Sequence, residues 1–391
     1  MIKGDFPLQE FGSLRTPFYY YDLGLLRRTL QRALAEAGKS PLYRLHYAVK
    51  ANFNPVILRE IASAGLGADC VSGGEVRAAL DAGFKPGDIV FAGVGKSDWE
   101  IKLGLEAGIG RFNVESPEEL RVISELACEA GVKAPVSIRV NPDIGAHTHA
   151  NITTGLSENK FGVNYELLDD VLREAMALPG IEYRGLHFHI GSQITDMADF
   201  KALCNRINYL AGHLDRAGLP LGDINVGGGL GIEYEHPNHL PIADFATYFE
   251  VFRNHLQLPE GTVVHFEPGR SIVAPCGTLI CRVLYVKQGT TRQFAIIDGS
   301  MTELIRPALY HAYHRIENLS SSEDEDIYDV VGPVCESSDV FGKAVSLDRC
   351  HRGDFIAVRS AGAYGESMAS RYNLHELPEA YFATPRCRAA L

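Results

Sequence analysis

The chain has 391 residues, 46% of them hydrophobic and 22% charged, with a net charge of −12. That length exceeds one ordinary compact core and predicts two domains. The negative balance argues against a nucleic-acid or anionic-membrane surface as the main partner. No apolar run approaches the roughly 20 residues of a membrane-spanning helix, and the N-terminus lacks the apolar stretch of a signal peptide. The eight cysteines include no Cys-x-x-Cys pair. A cytoplasmic protein with mostly free thiols and no structural metal is therefore expected.

Residues 1–16 read as irregular, 16–22 as strand-like, and 23–37 as a helix ended by Gly38 and Pro41. From Leu42 an alternation begins. Strand-like apolar runs fall near 44–49, 67–71, 88–92, 110–114, 135–141, 182–190, 222–226 and 263–267. Segments with helical spacing lie between them, such as 55–64, 74–82, 117–130, 167–177, 196–217 and 242–256. Strands alternating with helices predict a parallel sheet, and eight repeats over this length match a closed (β/α)8 TIM barrel. After Arg270 the rhythm changes: 278–287, 292–298, 328–332 and 354–359 read as strands, and the polar run 320–326 as a solvated loop. The expected division is an α/β barrel over 31–270 and a mostly β domain over 1–30 and 271–391.

Barrel chemistry collects at the C-terminal ends of the strands. Lys50 follows the first strand-like run, in Tyr47-Ala48-Val49-Lys50-Ala51-Asn52. Asp69 ends the second, Arg139 and Asn141 the fifth, and His189 the sixth. Gly227-Gly228-Gly229 follows the seventh, and Glu267-Pro268-Gly269-Arg270 the eighth. Taken singly, each has an ordinary reading: a strand-end lysine reaching water, a core histidine, a tight glycine turn, an ion-paired glutamate. Together on one rim they suggest more. A desolvated lysine is a nucleophilic amine. Glycine turns after the seventh and eighth strands let backbone N–H groups approach a phosphate, and Ser192 could add a hydroxyl. A carboxylate opposite the amine suits pyridoxal phosphate, whose ring nitrogen it would keep protonated.

Six motifs carry a wider likeness: 47–52, His-Ile-Gly-Ser-Gln (189–193), Gly-Gly-Gly-Leu (227–230), Glu-Pro-Gly-Arg (267–270), Gly-Pro-Val-Cys-Glu-Ser-Ser-Asp (332–339) and Gly-Ala-Tyr-Gly (362–365). In this order they resemble the fold-type III pyridoxal-phosphate decarboxylases, over about residues 16–382. The resemblance implies that Lys50 carries the cofactor, with Asp69 beside it and His189 stacked on the ring. Ser192, Gly228, Gly229 and Gly269 would hold the phosphate and Glu267 the ring nitrogen. Arg270, Arg306 and Tyr310 would hold a distal substrate carboxylate, Glu336 a distal amine, and Tyr364 both cofactor and substrate. Cys335 would donate a proton. If residues 306–310 are helical, Arg306 and Tyr310 share a face.

The implied reaction is decarboxylation of meso-2,6-diaminopimelate to L-lysine and CO2, by a homodimer with shared active sites. Arginine, ornithine and carboxynorspermidine are the alternative substrates, and a silent cofactor-binding homologue is a rival of another class. Residues 149–162 resemble a mobile active-site loop of the family. Glu366 departs from it, since an apolar residue is expected there.

Overall fold

In the computed structural model, which describes residues 4–142 and 160–383, the eight strand-like runs become eight strands. They are Tyr43–Ala48, Gly67–Cys70, Ile89–Phe91, Arg111–Val114, Ala134–Asn141, Ile181–His187, Asp223–Asn225 and Val264–Phe266, referred to below as barrel strands one to eight. Every neighbouring pair is parallel, and the eighth pairs with the first, so the sheet closes. A short strand, Val163–Asn164, adds to the end of strand five. This is the predicted (β/α)8 barrel.

Local chemistry sets the helix ends. Ser72, Ser116 and Asp196 accept backbone N–H bonds at the starts of Gly73–Asp81, Pro117–Glu129 and Met197–Ala217. A further helix, Asp98–Ala107, opens on a Ser97–Glu100 capping box and stops at Gly108 in the left-handed region. Helix Phe245–His255 buries Tyr248, Phe249 and Phe252. With Tyr43 they surround the Phe266 ring at centroid distances of 4.8 to 5.9 Å. Such aromatic pairs contribute about 0.5–1.5 kcal/mol each beyond area burial.

The chain divides into two compact units. One comprises Leu30–Gly231 and Asp244–Gly269; the other comprises Met1–Thr29, Ile232–Ala243 and Arg270–Leu391. The second is mostly β and takes in the N-terminal segment, as predicted. Its strands run in the order Ile316–Asn318, Phe355–Val358, Gly277–Gln288, Gln293–Ile297, Glu325–Val331, Val340–Asp348. Phe18–Asp22 pairs antiparallel with Gly277–Gln288 and parallel with Glu379–Ala383. Phe11, Phe18, Ile280, Phe355 and Ala357 form one buried cluster there.

Besides Val163–Asn164, three strands of the β unit escape the sequence pattern: 316–318, 340–348 and 379–383. In Val340–Asp348 only Phe341 and Leu347 are buried, so apolar alternation is nearly absent. The polar run 320–326 is a loop only in part. Glu325 and Asp326 open a strand because Asp348 and Leu347 stand opposite them in register. No helix among the described residues is long and apolar enough to cross a membrane. The seven described cysteines are free thiols.

A buried polar chain also runs through the barrel. His46 Nδ1 lies 3.0 Å from the Asp88 carbonyl and must carry the proton, so Nε2 accepts from His265 Nδ1 at 2.8 Å. Arg111 Nη2 meets Asp223 Oδ2 at 2.9 Å below them. Burial, then the neighbouring His265, pushes His46 down to about 3. His46 is therefore neutral in the fold, whereas the unfolded chain charges below about pH 6.5. Its contribution is complete above that pH and lost as the pH falls toward 3, at roughly 1.4 kcal/mol per pH unit. Thermal unfolding from about pH 7.5 to about 4.5 is expected to show the fall, and His46→Asn to flatten it. An unchanged slope in the variant would contradict the assignment.

Candidate active site

Barrel strand one stops at Ala48, and a single 3-10 turn, Val49–Ala51, carries Lys50 past its end. Asn54 then caps helix Pro55–Ser63 by accepting the Val56 N–H at 3.0 Å. Lys50 Nζ lies 3.4 Å from Asp69 Oδ2, with the lysine side chain 39% exposed and the aspartate 1%. The sequence offers two readings of Lys50, a desolvated amine or a strand-end lysine reaching water; in the fold it is partly exposed and the carboxylate is the buried partner. Burial, then the Glu267 charge, pushes Asp69 up to about 8 against the pull of Lys50.

Glu267 follows strand eight directly and is buried. Its Oε1 accepts from Asn225 Nδ2 at 2.6 Å and Asn113 Nδ2 at 3.4 Å; its Oε2 lies 3.2 Å from His187 Nε2. His187 Nδ1 is buried with no partner among the described residues. A proton there would be a stranded donor, so the proton sits on Nε2 and is donated to Glu267. Burial alone would raise Glu267. The N–H donated by His187, with the Lys50 charge behind it, outweighs that and holds the carboxyl far below its usual range. The group is an anion at any physiological pH.

His189 lies two residues beyond strand six. Its Nδ1 accepts the Gly228 N–H at 3.3 Å. Burial, then the Lys50 and Arg139 charges, depresses it well below an ordinary histidine, so the ring is neutral. The loops after strands six and seven are tied together by Ile194 N–H to the Gly229 carbonyl and Gly231 N–H to the Ile194 carbonyl, both 2.9 Å. Gly227 and Gly229 have φ of +72° and +105°, which favours glycine. A side chain at Gly228 would strike the Glu267 carbonyl. A Cβ at Gly269 would meet the Ala48 and Ala51 methyls at 3.0 and 3.1 Å. Ser192 sits half-buried on the same strand-six loop.

Farther round the rim, Arg139 pairs with Glu115 at 2.8 Å and Lys96 with Glu119 at 2.6 Å, all largely buried. Gly162 donates to Glu115 at 2.8 Å, and Arg139 stacks on Phe161. Of the expected mobile loop, residues 149–159 lie outside the described residues.

In the β unit, Arg306 begins the helix Arg306–Tyr310, so the expected i, i+4 pair is on one face. Arg306 and Arg270 are buried. Both donate to the Tyr234 hydroxyl, at 3.0 and 2.8 Å, and Arg270 stacks on the Tyr364 ring at 5.0 Å. Tyr310 adds to the field at Arg270. Cys335 and Glu336 lie on an exposed loop instead. The Cys335 N–H goes to Asn373 Oδ1 at 3.2 Å, and Glu336 accepts from the Tyr372 hydroxyl at 2.5 Å. Asp339 shapes that loop by accepting N–H bonds from Met301 at 2.7 Å and Val334 at 2.9 Å. Glu366 accepts from the Tyr21 hydroxyl at 2.6 Å, which gives a polar residue a local partner at a position where the family pattern predicts an apolar one.

A family model described as the pyridoxal binding domain of pyridoxal-dependent decarboxylases matches residues 23–274. The chain belongs to the pyridoxal-dependent decarboxylases. It is 58% identical to the diaminopimelate decarboxylase of Bacteroides thetaiotaomicron, over 97% of this chain and 98% of that one. It is 41% identical to the enzyme of the same name from Zymomonas mobilis, over 95% and 89%. A crystal structure of diaminopimelate decarboxylase from Helicobacter pylori complexed with L-lysine superposes with a TM-score of 0.89. That protein is 40% identical, and the match covers 96% of this chain and 94% of that one.

The barrel of this decarboxylase fits pyridoxal phosphate by the chemistry of its donor set. It offers an amine, a carboxylate that stays ionised in a buried place, a neutral imidazole, and glycine turns whose backbone leaves no room for side chains. Sequence reasoning missed the groups that hold Glu267, namely Asn113, Asn225 and His187. Each is a polar residue at or next to the C-terminal end of its barrel strand, and His187 shares strand parity with His189; that was the available signal. Tyr234 left no such trace, and Asp339 was visible only as the last residue of the 332–339 motif. In Asn225→Ala, Glu267 loses its shortest hydrogen bond. Turnover is expected to fall about 10- to 100-fold, with a shifted pH dependence of cofactor absorbance. Wild-type kinetics and spectrum in the variant would show that the anion needs no such support.

Proposed function

We propose that this chain decarboxylates meso-2,6-diaminopimelate to L-lysine and CO2, in the cytoplasm and as a homodimer. The observation that carries the choice of substrate is buried Arg306, whose hydrogen bonds among the described residues end on the neutral Tyr234 hydroxyl and the neutral His314 ring, with buried Arg270 donating to the same hydroxyl. Buried cations of that kind call for an anion. A substrate retaining a carboxylate far from the reacting carbon supplies one; ornithine and arginine do not.

The roles divide by charge. Bound pyridoxal phosphate supplies a ring that accepts the electron pair left when CO2 departs. Lys50 holds that cofactor through its amine, and Asp69 steadies the amine. Glu267, kept anionic, faces the ring nitrogen and keeps a proton on it. His189, kept neutral, offers a flat face. The turns at Gly228, Gly229 and Gly269, with Ser192, receive the phosphate. Arg270, Arg306 and Tyr310 hold the distal carboxylate, Glu336 the distal amine, and Tyr364 orients substrate and cofactor. Cys335 delivers the proton that replaces CO2.

Cys335 and Glu336 are exposed in the single chain. Proton delivery to a reactive carbanion needs a dry site, and a second copy covering this loop would provide it, which supports the homodimer.

The holoenzyme is expected to release CO2 from meso-diaminopimelate and not from ornithine or arginine, and Lys50→Ala to release none. Comparable rates on ornithine would overturn the substrate assignment. Co-expressed Lys50→Ala and Cys335→Ala chains should recover about one quarter of wild-type activity if sites are shared across a two-fold dimer. No recovery would place both groups in one chain.

A further inference from the structure

Tyr234 belongs to Ile232–Ala243, a segment that follows the seventh barrel strand in sequence but groups with the β unit. Its side chain is buried and its hydroxyl oxygen takes N–H bonds from Arg270 Nη1 at 2.8 Å and Arg306 Nη1 at 3.0 Å. The Arg306 guanidinium also lies over its ring, 5.3 Å from the centroid. The other partner of Arg306 Nη1 is His314 Nε2, at 2.8 Å. His314 Nδ1 faces the Arg359 carbonyl at 2.8 Å and carries the proton, so Nε2 is an acceptor. Both hydrogen bonds of Arg306 among the described residues thus end on uncharged acceptors. One phenolic oxygen accepts from two like charges.

We propose that Tyr234 is a positioning residue: its hydroxyl locks the two guanidiniums at the spacing of a single carboxylate and thereby sets the preference for substrates that keep a distal carboxylate. This rests on the reading that Arg270 and Arg306 hold that carboxylate. Two forks converging on one anion require fixed planes, and mutual repulsion would turn free guanidiniums apart. The phenol oxygen opposes that repulsion. Burial would raise the Tyr234 proton affinity, but the two guanidiniums outweigh it and hold the hydroxyl below the usual tyrosine range, which strengthens its partial negative charge.

The test uses the cofactor-loaded enzyme with Tyr234→Phe, which keeps the ring and removes only the oxygen. L-lysine, the product, still carries the distal carboxylate, whereas cadaverine carries none. KM for meso-diaminopimelate and Kd for L-lysine by calorimetry are expected to rise about 10- to 100-fold. The expected kcat is within about threefold of wild type, with cadaverine binding unchanged. Unchanged KM and Kd would overturn the role of Tyr234, and so would an equal loss of cadaverine binding, which marks a merely structural effect. Arg306→Met separates the two readings. If it leaves KM unchanged, the carboxylate assignment itself fails; if it raises KM while Tyr234→Phe does not, only the Tyr234 proposal falls.

Discussion

The structure of the site depends on keeping one carboxylate charged where charge is expensive. Moving a carboxylate out of water costs several kcal/mol unless hydrogen bonds replace its hydration. Glu267 is given Asn225, Asn113 and His187, at 2.6, 3.4 and 3.2 Å. These donors come from barrel strands seven, four and six and meet a residue just past strand eight. Strands four and eight stand on opposite sides of the ring. Only a closed barrel lets a side chain of one reach the other, so ring closure and anion stabilisation are the same structural fact. Because the donors are in place before any reaction, no reorganisation is required when charge develops nearby.

Charge is managed differently at each barrel position. Asp69 is pushed up by burial and by Glu267, while Glu267 is pushed down by its donors and by Lys50. Two buried carboxylates within one field cannot both ionise easily, and the hydrogen bonds decide which one does. His189 stays neutral because it is buried and cations surround it. The β unit shows the converse arrangement, with two buried guanidiniums and, among the described residues, only neutral groups, Tyr234 and His314, bonded to Arg306. The barrel thus keeps a buried anion, and the β unit keeps buried cations.

Much of this was legible in the chain. The alternation of apolar strands and amphipathic helices specified eight strands within a few residues of their observed ends, because both faces of a barrel strand are buried and read as plain apolar runs. Lys50, Asp69, His189 and Glu267 were legible because barrel chemistry sits at strand ends. Strand Val340–Asp348 was not, since it is half-solvated and its pairing, not its burial, makes it a strand. The burial of Asp69 beside a partly exposed Lys50 was not legible either, because a strand-end position does not say which of two facing groups will be the buried one.

The sequence alone determined the order of elements, the closed barrel and the residue types on its rim, since these follow from periodicity and spacing along the chain. Tertiary structure alone decided which carboxylate stays ionised, which nitrogen of His187 carries the proton, and that Tyr234 joins Arg270 to Arg306. Those outcomes depend on distances between residues far apart in the chain, such as Tyr234 and Arg270, 36 positions apart, or Asn113 and Glu267, 154 apart. Electrostatic and hydrogen-bond energies change steeply over a single ångström, and no pattern of residues along a chain encodes such distances.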